Sequence, residues 1–508
     1  MKKTSCRLTR SLVLGAFAAG VTGVAHAQYT PPPPPAPFPG FLNEYLRKND
    51  PYMNQWDFGG NARIRTEVKE GFAIQGVTGP VASLDFRNNP ANTSDEYFME
   101  RIRFHAGYTS KWWSAYVEGR SSLEQSDERF AYANNPAVPG TIKTRGDGPE
   151  SDFLDLHQAY LTIGNHKEFP ISLKVGRQEM IYGEERLIGA FGWNNIGRVF
   201  DAVKVRWQNE WFGADFFASR PVIPEDGKFN VENDYDLFSG MYATSTKIPK
   251  HLLDVYFLAR NSSQKAIVAE ARPQFPQPSA RDIYTIGGRL KSQPGQIGNW
   301  DYSIEGAYQF GDYRDRRLGA TSAYLTQDAF MAVLQGGYTF ADAWATPRLG
   351  AEYSYSSGDG NPNDGTHGTF DNLFPTNHKF YGYMDFISLQ NIQDVRAIFQ
   401  LKPTPRVSVA VEGHGFWLAN THDNFYNAGG APRGGIAATP GNNYGINPNY
   451  SAFVGTELDV IAGVAVTRFA QFEVGYGHFF VGDYVKQSLS AVGSHDADYV
   501  YTQATINF

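Results

Sequence analysis

Cysteine is almost missing from this 508-residue chain: the one residue, Cys6, lies among the first ten positions. A fold built from the rest has no disulfide, thiolate metal site or cysteine nucleophile to draw on. Long apolar runs are missing too. After residue 27 nothing approaches the 18 or so consecutive apolar residues that a transmembrane helix needs. Basic charge is in deficit, with 45 Lys and Arg against 52 Asp and Glu and a formal charge of −7. That balance excludes the broad basic footprint of a nucleic-acid binder. Neither a Gly-x-Ser-x-Gly elbow nor a His-Glu-x-x-His zinc helix occurs.

What is plentiful is aromatic and glycine residues: 36 Phe, 29 Tyr, 9 Trp and 52 Gly. Many aromatics without apolar runs suit strands that alternate between lipid and water. The start reads as a secretory leader. Lys2, Lys3, Arg7 and Arg10 precede an apolar stretch from Ser11, and Ala25-His26-Ala27 fits a small-x-small cleavage site. Residues 1–27 are therefore expected to be removed, leaving 41 basic against 52 acidic residues. Residues 28–55 follow as a periplasmic segment with Pro31–Pro35 in a row, an extended spacer. Phe41, Leu42, Tyr45 and Leu46 mark a helical turn or two within a loose tether.

From Trp56 to Phe508 the chain repeats a period of two. Trp56, Phe58, Ala62, Ile64 and Val68 interleave with Asp57, Asn61, Arg63, Arg65 and Lys69, and Tyr302, Ile304, Tyr308 and Phe310 with Asp301, Glu305 and Gln309. Continued along the chain, the alternation predicts eighteen strands, the first near 56–69 and the last near 497–508. Short links such as Ser110-Lys111, Asn209-Glu210 and Lys402–Pro405 alternate with long ones such as 125–152, 358–390 and 418–454. This is the rhythm of an all-β transmembrane antiparallel barrel with long extracellular loops and short periplasmic turns. An even strand count places both ends in the periplasm. The segment 358–390 should cover the pore from outside, with Phe370, Leu373, Phe374 and Phe380 buried on neighbouring loops or in the mouth.

Energy sets the face. An arginine turned to lipid near mid-membrane costs roughly 2–4 kcal/mol, so Arg63, Arg65, Arg101, Arg103 and Arg120 should point inward as one basic wall. Lys174, Lys204 and Arg206 extend it. Asp301, Glu305, Glu457, Asp459 and Glu473 gather elsewhere, with Arg260, Arg289, Arg348 and Arg396 between. Such charges either set a field across a wet lumen or pair with one another. In a wet lumen their replacement would cost little stability.

Other clusters carry less. Asp152, Asp155 and His157 resemble an acid–histidine set but sit at a strand's outer end. Asp359, Asn361, Asn363 and Asp364 resemble a calcium loop, yet the glycine is displaced and Phe370 stands where the bidentate acid belongs. His367, His378, His414, His422 and His478 show no metal spacing, and no cofactor is implied.

The chain resembles the alginate export porins of Gram-negative outer membranes. The likeness lies in Asp152–Leu161 (DFLDLHQAYL), Leu173–Gly189 (LKVGRQEMIYGEERLIG), Gly197–Trp207 (GRVFDAVKVRW) and Thr369–Gly382 (TFDNLFPTNHKFYG). The resemblance implies a monomeric eighteen-stranded barrel whose arginine-rich lumen passes a polyuronate, not an enzyme. Carried over by position, it assigns Arg177 and Lys204 to the electropositive path. The Pro-rich leader and the acidic wall depart from that pattern. Two functions stay open: a passive channel for anionic polysaccharide or related anionic solutes, and an uptake porin for small organic solutes.

Val500, Ala504, Ile506 and the terminal Phe508 share the apolar face of the last strand, the expected signal to the outer-membrane assembly machinery. Deleting Phe508 should leave protease-sensitive protein in the periplasm, measured by fractionation; normal surface levels would place the signal elsewhere.

Overall fold

The computed structural model describes residues 40–71, 86–87, 94–127, 150–263, 280–314, 324–430, 432–433 and 440–508. The expected leader and the proline run lie outside the described residues. Eighteen long strands follow the period-two segments in order: β1 (Trp56–Glu70), β2 (Ser94–Thr109), β3 (Trp113–Gln125), β4 (Asp152–Ile163), β5 (Ile171–Gln178) and β6 (Phe200–Gln208). Next come β7 (Gly213–Ile223), β8 (Asp236–Ser245), β9 (His251–Ser262), β10 (Arg281–Ser292), β11 (Trp300–Arg314) and β12 (Tyr324–Thr339). The last are β13 (Arg348–Ser356), β14 (Ile392–Thr404), β15 (Val407–Leu418), β16 (Phe453–Ala465), β17 (Ala470–Val481) and β18 (Ala497–Asn507). Each pairs antiparallel with its neighbours in sequence. β18 returns to β1 with Ile506 opposite Ala62 and Val500 opposite Val68, which closes the barrel and leaves no sheet edge. β14 runs past the expected turn at Lys402; the register shifts between Leu401 and Thr404, so Pro403 sits at an irregularity that needs no ladder donor.

The faces follow the parity. Ile64, Ile102, Phe104, Val203, Ile304 and Leu334 stand exposed on the outside, where lipid covers them. Trp113, Phe169, Trp207, Trp211, Trp300 and Trp344 form an exposed aromatic belt at the end with the short turns. At that end the expected helical turns form a helix, α1 (Phe41–Asn49), which is packed on the barrel rather than loose. Asn43 bonds Asp57 and the Phe58 amide, Phe41 meets the Phe469 ring edge-on, and Glu44 pairs with Arg468. The helix thereby covers the seam where Phe508 exchanges backbone bonds with Gly60 (3.0 Å each way). The Phe508 ring lies over Gly60, where a β-carbon would collide with it. Phe508 thus faces outward, as the alternation predicts.

Two long links do not stay outside. Segment 179–199, between β5 and β6, and segment 369–391, before β14, turn into the barrel. Phe370, Leu373, Phe374 and Phe380 are buried there with Leu187, Ile188, Phe200 and Phe238. The burial expected for the four side chains, on neighbouring loops or into the mouth, occurs against Leu187 and Ile188 of the other inserted segment.

Candidate functional site

The basic wall forms where β1, β2 and β3 adjoin. Arg63 stands directly across from Arg101, and Arg103 from Arg120. All point inward, yet the lumen beside them is not open water: Arg63, Arg65, Arg101 and Arg120 keep only 5, 1, 8 and 2% of their surface exposed. Segment 179–199 fills that space with backbone carbonyls. Arg63 donates to Gly192 O (3.1 Å) and Asn195 Oδ1 (3.2 Å), and Arg101 to Gly192 O (3.0 Å) and Asn194 O (3.2 Å). Arg65 donates to Trp193 O (2.9 Å), its guanidinium 4.0 Å above the Trp193 ring. Arg120 donates to Ile196 O (2.8 Å) and pairs with Asp152. The expectation that these side chains are wet, and cheap to replace, is therefore corrected.

Carbonyls satisfy donors without removing charge. Arg65 has Glu67 at 2.8 Å and Arg103 has Glu179 at 2.9 Å, but Arg63 and Arg101 form no ion pair among the described residues. The acidic wall, on β13, β15 and β16, uses the other end of the peptide dipole. The Met384 amide donates to Glu457 (2.9 Å) and the Tyr383 amide faces Asp459 (3.5 Å). Glu352 takes Arg186 of segment 179–199 at 2.7 Å, and Arg396 pairs with Glu412. Carbonyls of one inserted segment meet the cations and amides of the other meet the acids.

The two segments are zipped together. Gly189 N–H donates to Phe374 O (2.8 Å), Phe374 N–H to Leu187 O (3.0 Å) and Thr376 N–H to Glu185 O (2.9 Å). Trp193 stacks on His378 at 3.8 Å and 8°. Ion pairs tie both to the barrel: Glu184 to Lys291 and Arg289, and Asp371 to Arg281 and Arg260. Burial raises the Glu184 carboxyl, but Lys291 and Arg289 more than offset this and hold it at about 2. Burial likewise acts against Asp371, and Arg281 and Arg260 hold it at about 2.

The other cations divide. Lys174 and Lys204 face each other across β5 and β6, half-buried, below the inserted segments. Lys204 and Arg206 share Asp215 at 3.4 and 2.9 Å, while Lys174 lies 3.5 Å above the Tyr160 ring. Arg289 and Arg348 are paired with Asp254 and Asp301. Arg177 does not belong to the lumen. It sits on the outward face of β5 with Val175 and forks onto Asp201 (2.8 and 2.9 Å). The strand's own alternation, Ile171, Leu173, Val175, Arg177 against Ser172, Lys174, Gly176, Gln178, already carried that signal.

The remaining clusters are structural. His157 is fully buried between Arg120 (3.0 Å) and Glu179 (3.0 Å). Asp359, Asn361 and Asp364 accept the amides of Asn361, Asn363 and Thr366, an arrangement of turns. No group of three metal-ligating side chains occurs among the described residues.

A closed barrel of eighteen strands, with charged walls and an inward-folded loop, matches known proteins. The sequence pattern described as alginate export matches residues 56–497. This chain belongs to the alginate export family. Like the family, it is an outer-membrane channel of Gram-negative bacteria, set in membrane lipid. No curated protein matches it closely. Among solved structures, OccAB2 of Acinetobacter baumannii is 9% identical with a TM-score of 0.53, covering 89% of this chain and 98% of its own. A BenF-like porin from Pseudomonas fluorescens Pf-5 is 9% identical with a TM-score of 0.52 over the same shares. OpdK of Pseudomonas aeruginosa, solved with vanillate, is 10% identical with a TM-score of 0.50 over 89% of this chain and 98% of its own. At such identity they share the barrel with this alginate export family member and nothing finer.

Sequence reasoning missed segment 179–199 as the partner of the basic wall. Its apolar residues Leu187, Ile188, Phe191 and Trp193, in a link expected to face water, were the available signal.

Replacing Arg63 and Arg101 together by Ser should strand the Gly192 and Asn194 carbonyls, costing about 1–3 kcal/mol each. Thermal unfolding in detergent should shift down, and single-channel conductance should rise as the segment loosens; an unchanged current would mean the segment lies off the path. The acid response has a defined window. Glu184 and Asp371 titrate lower in the fold than their ordinary values of 4.5 and 3.8, so their ties are complete above about pH 4.5 and fail as pH falls through about 2. Conductance should stay level from pH 7 to 5 and rise only on approaching pH 2–3, recorded in planar bilayers.

Proposed function

We propose that this chain is a passive channel that prefers anions, with a carboxylate-bearing substrate, either an anionic polysaccharide or a related anionic solute. The observation that carries this is the pair Arg63 and Arg101, two cations at mid-barrel that are solvated by carbonyls rather than neutralised by acids. In a low-dielectric wall such charge is weakly screened and focuses the field along the lumen. Arg103 is held by Glu179, and Lys174, Lys204 and Arg206, half-buried below the inserted segments, form the approach. Lys174, whose contact is a ring face and not a carboxylate, is the cation most available to a substrate. Arg289, Arg348 and Arg396, paired with acids, contribute to wetting and to the shape of the wall.

A second reading, uptake of small organic acids, is favoured by the inserted segments. Two zipped loops inside an eighteen-strand barrel suit a small solute, and OpdK was solved with vanillate, an aromatic carboxylate. Both readings share the anion preference and differ in substrate size. In either, the chain acts as a monomer without catalysis. Residues 1–27 are a cleaved leader, residues 28–55 a periplasmic segment whose helix α1 packs at the seam, and the strand ending in Phe508 the assembly signal.

Reversal potentials in a salt gradient test the reading. The wild type should be anion-selective, less so toward 1 M salt as the Debye length falls to about 3 Å. Replacing Lys174 and Lys204 together by Ser should reduce the selectivity and weaken block by added anions. Block by polyuronate at lower concentration than by benzoate would favour the polysaccharide, and the reverse order the small acid. A cation-selective wild type would overturn both.

A further inference from the structure

The barrel wall is incomplete on the outer side between β4 and β7. β5 has 8 residues and β6 has 9, against 12 in β4 and 11 in β7. β5 pairs only with Ala159–Ile163 of β4, so among the described residues the outer half of β4 has no strand on that side. The two short strands end early because segment 179–199, which joins them, turns into the lumen to meet the arginines.

Their ends lie within the membrane. Trp207 belongs to the aromatic belt at the short-turn end, and Asp201 is six residues further along β6. At about 3.3 Å per residue and a strand tilt of about 40°, that rise is about 15 Å of an apolar band about 25 Å tall. At this level an outward row of charges crosses three strands: Arg177 opposite Asp201, and Asp201 opposite Arg220. Val175 and Val203, one step below on the same face, and Phe216, two steps below, are exposed to lipid. Bare charges there would be costly.

The link between β7 and β8, residues 224–235, covers the gap. Its Val231 and Glu232 pair with Ile223 and Val222. Asn230 donates from its backbone to Asp155 (3.2 Å) and from its side chain to Asp152 (2.7 Å), and the Phe153 amide donates to Asp226 (3.2 Å). The Phe229 ring lies 5.4 Å from the Arg177 guanidinium, and Arg220 pairs with Asp234. The segment's own apolar side chains point away from the barrel: Phe229 is 63% and Val231 55% exposed, beside exposed Phe153 and Leu154. In water these would have no partner, but they continue the lipid-facing surface of β6 and β7 upward.

We propose that residues 224–235 form part of the membrane wall, not an aqueous loop. Phe229, Val231, Phe153 and Leu154 meet the acyl chains of the outer leaflet and cover Arg177, whose side chain is 7% exposed, while the Arg220–Asp234 pair, still exposed, reaches up toward the headgroups. The inference stands apart from the anion reading and needs only the outer-membrane location. In wild-type protein reconstituted into liposomes, a phospholipid with a diazirine on its acyl chain should label peptides 224–235 and 153–154 about as strongly as those holding Val203 and Phe216. In a Cys6→Ser background, Phe229→Cys and Val231→Cys carrying an environment-sensitive fluorophore should be quenched several-fold by acyl-brominated lipid. Val203→Cys should behave alike, and Asn363→Cys, on an exposed outer turn, should not. Labelling of Val203 and Phe216 peptides with none at 224–235, or emission at 229 and 231 matching position 363, would overturn the proposal. Should the cysteine variants fail to insert, the wild-type photolabelling decides alone.

Discussion

A guanidinium carries five donors and no acceptor, and this barrel sets five of them side by side on three adjacent strands. Arg63, Arg65, Arg101, Arg103 and Arg120 cannot face lipid, and the acids near them leave Arg63 and Arg101 with no ion pair among the described residues. Segment 179–199 answers that demand with the carbonyls of Gly192, Trp193, Asn194 and Ile196. Much else follows from this one contact. Because the segment must reach the wall, β5 and β6 stop short, and because they stop short the outer wall is open between β4 and β7. Residues 224–235 then lie across the opening.

The acidic wall shows the same principle with the sign reversed. Met384 and Tyr383 turn their amides toward Glu457 and Asp459, and Gly382, in the left-handed region at φ 88°, permits the close approach that a β-carbon would block. Peptide dipoles thus lie between the walls with their negative ends at the arginines and their positive ends at the acids. The lumen is narrowed by backbone that the wall charges hold in place, and between the two polar contacts the apolar side chains around Phe374 join the inserted segments into one body. Arg289, Arg348 and Arg396 pair with acids, whereas Arg63 and Arg101 are met by backbone carbonyls.

Much of the architecture was legible before any coordinates. Eighteen strands, their closure and the inward turn of Arg63 and Arg65 with Ile64 outward all follow from a period of two facing lipid on one side. So did the need to bury Phe370, Leu373, Phe374 and Phe380. Arg177 shows the opposite hazard: likeness to a family placed it in the lumen, while its own strand's alternation placed it outside with Val175. The local pattern was the better guide because parity is a constraint of the backbone, whereas a shared motif says nothing of which face it serves.

The amino-acid sequence by itself determined which residues cross the membrane and which face each one shows, since alternation and lipid cost act strand by strand. Only the tertiary structure decided what each inward charge meets. The carbonyls that hold Arg63 lie about 130 residues away along the chain, and every peptide offers a carbonyl and, proline aside, an amide. No side-chain pattern marks which backbone will be used. Closure of the barrel brings those groups together, and with them the depth at which β5 and β6 end and the surface that must cover the gap.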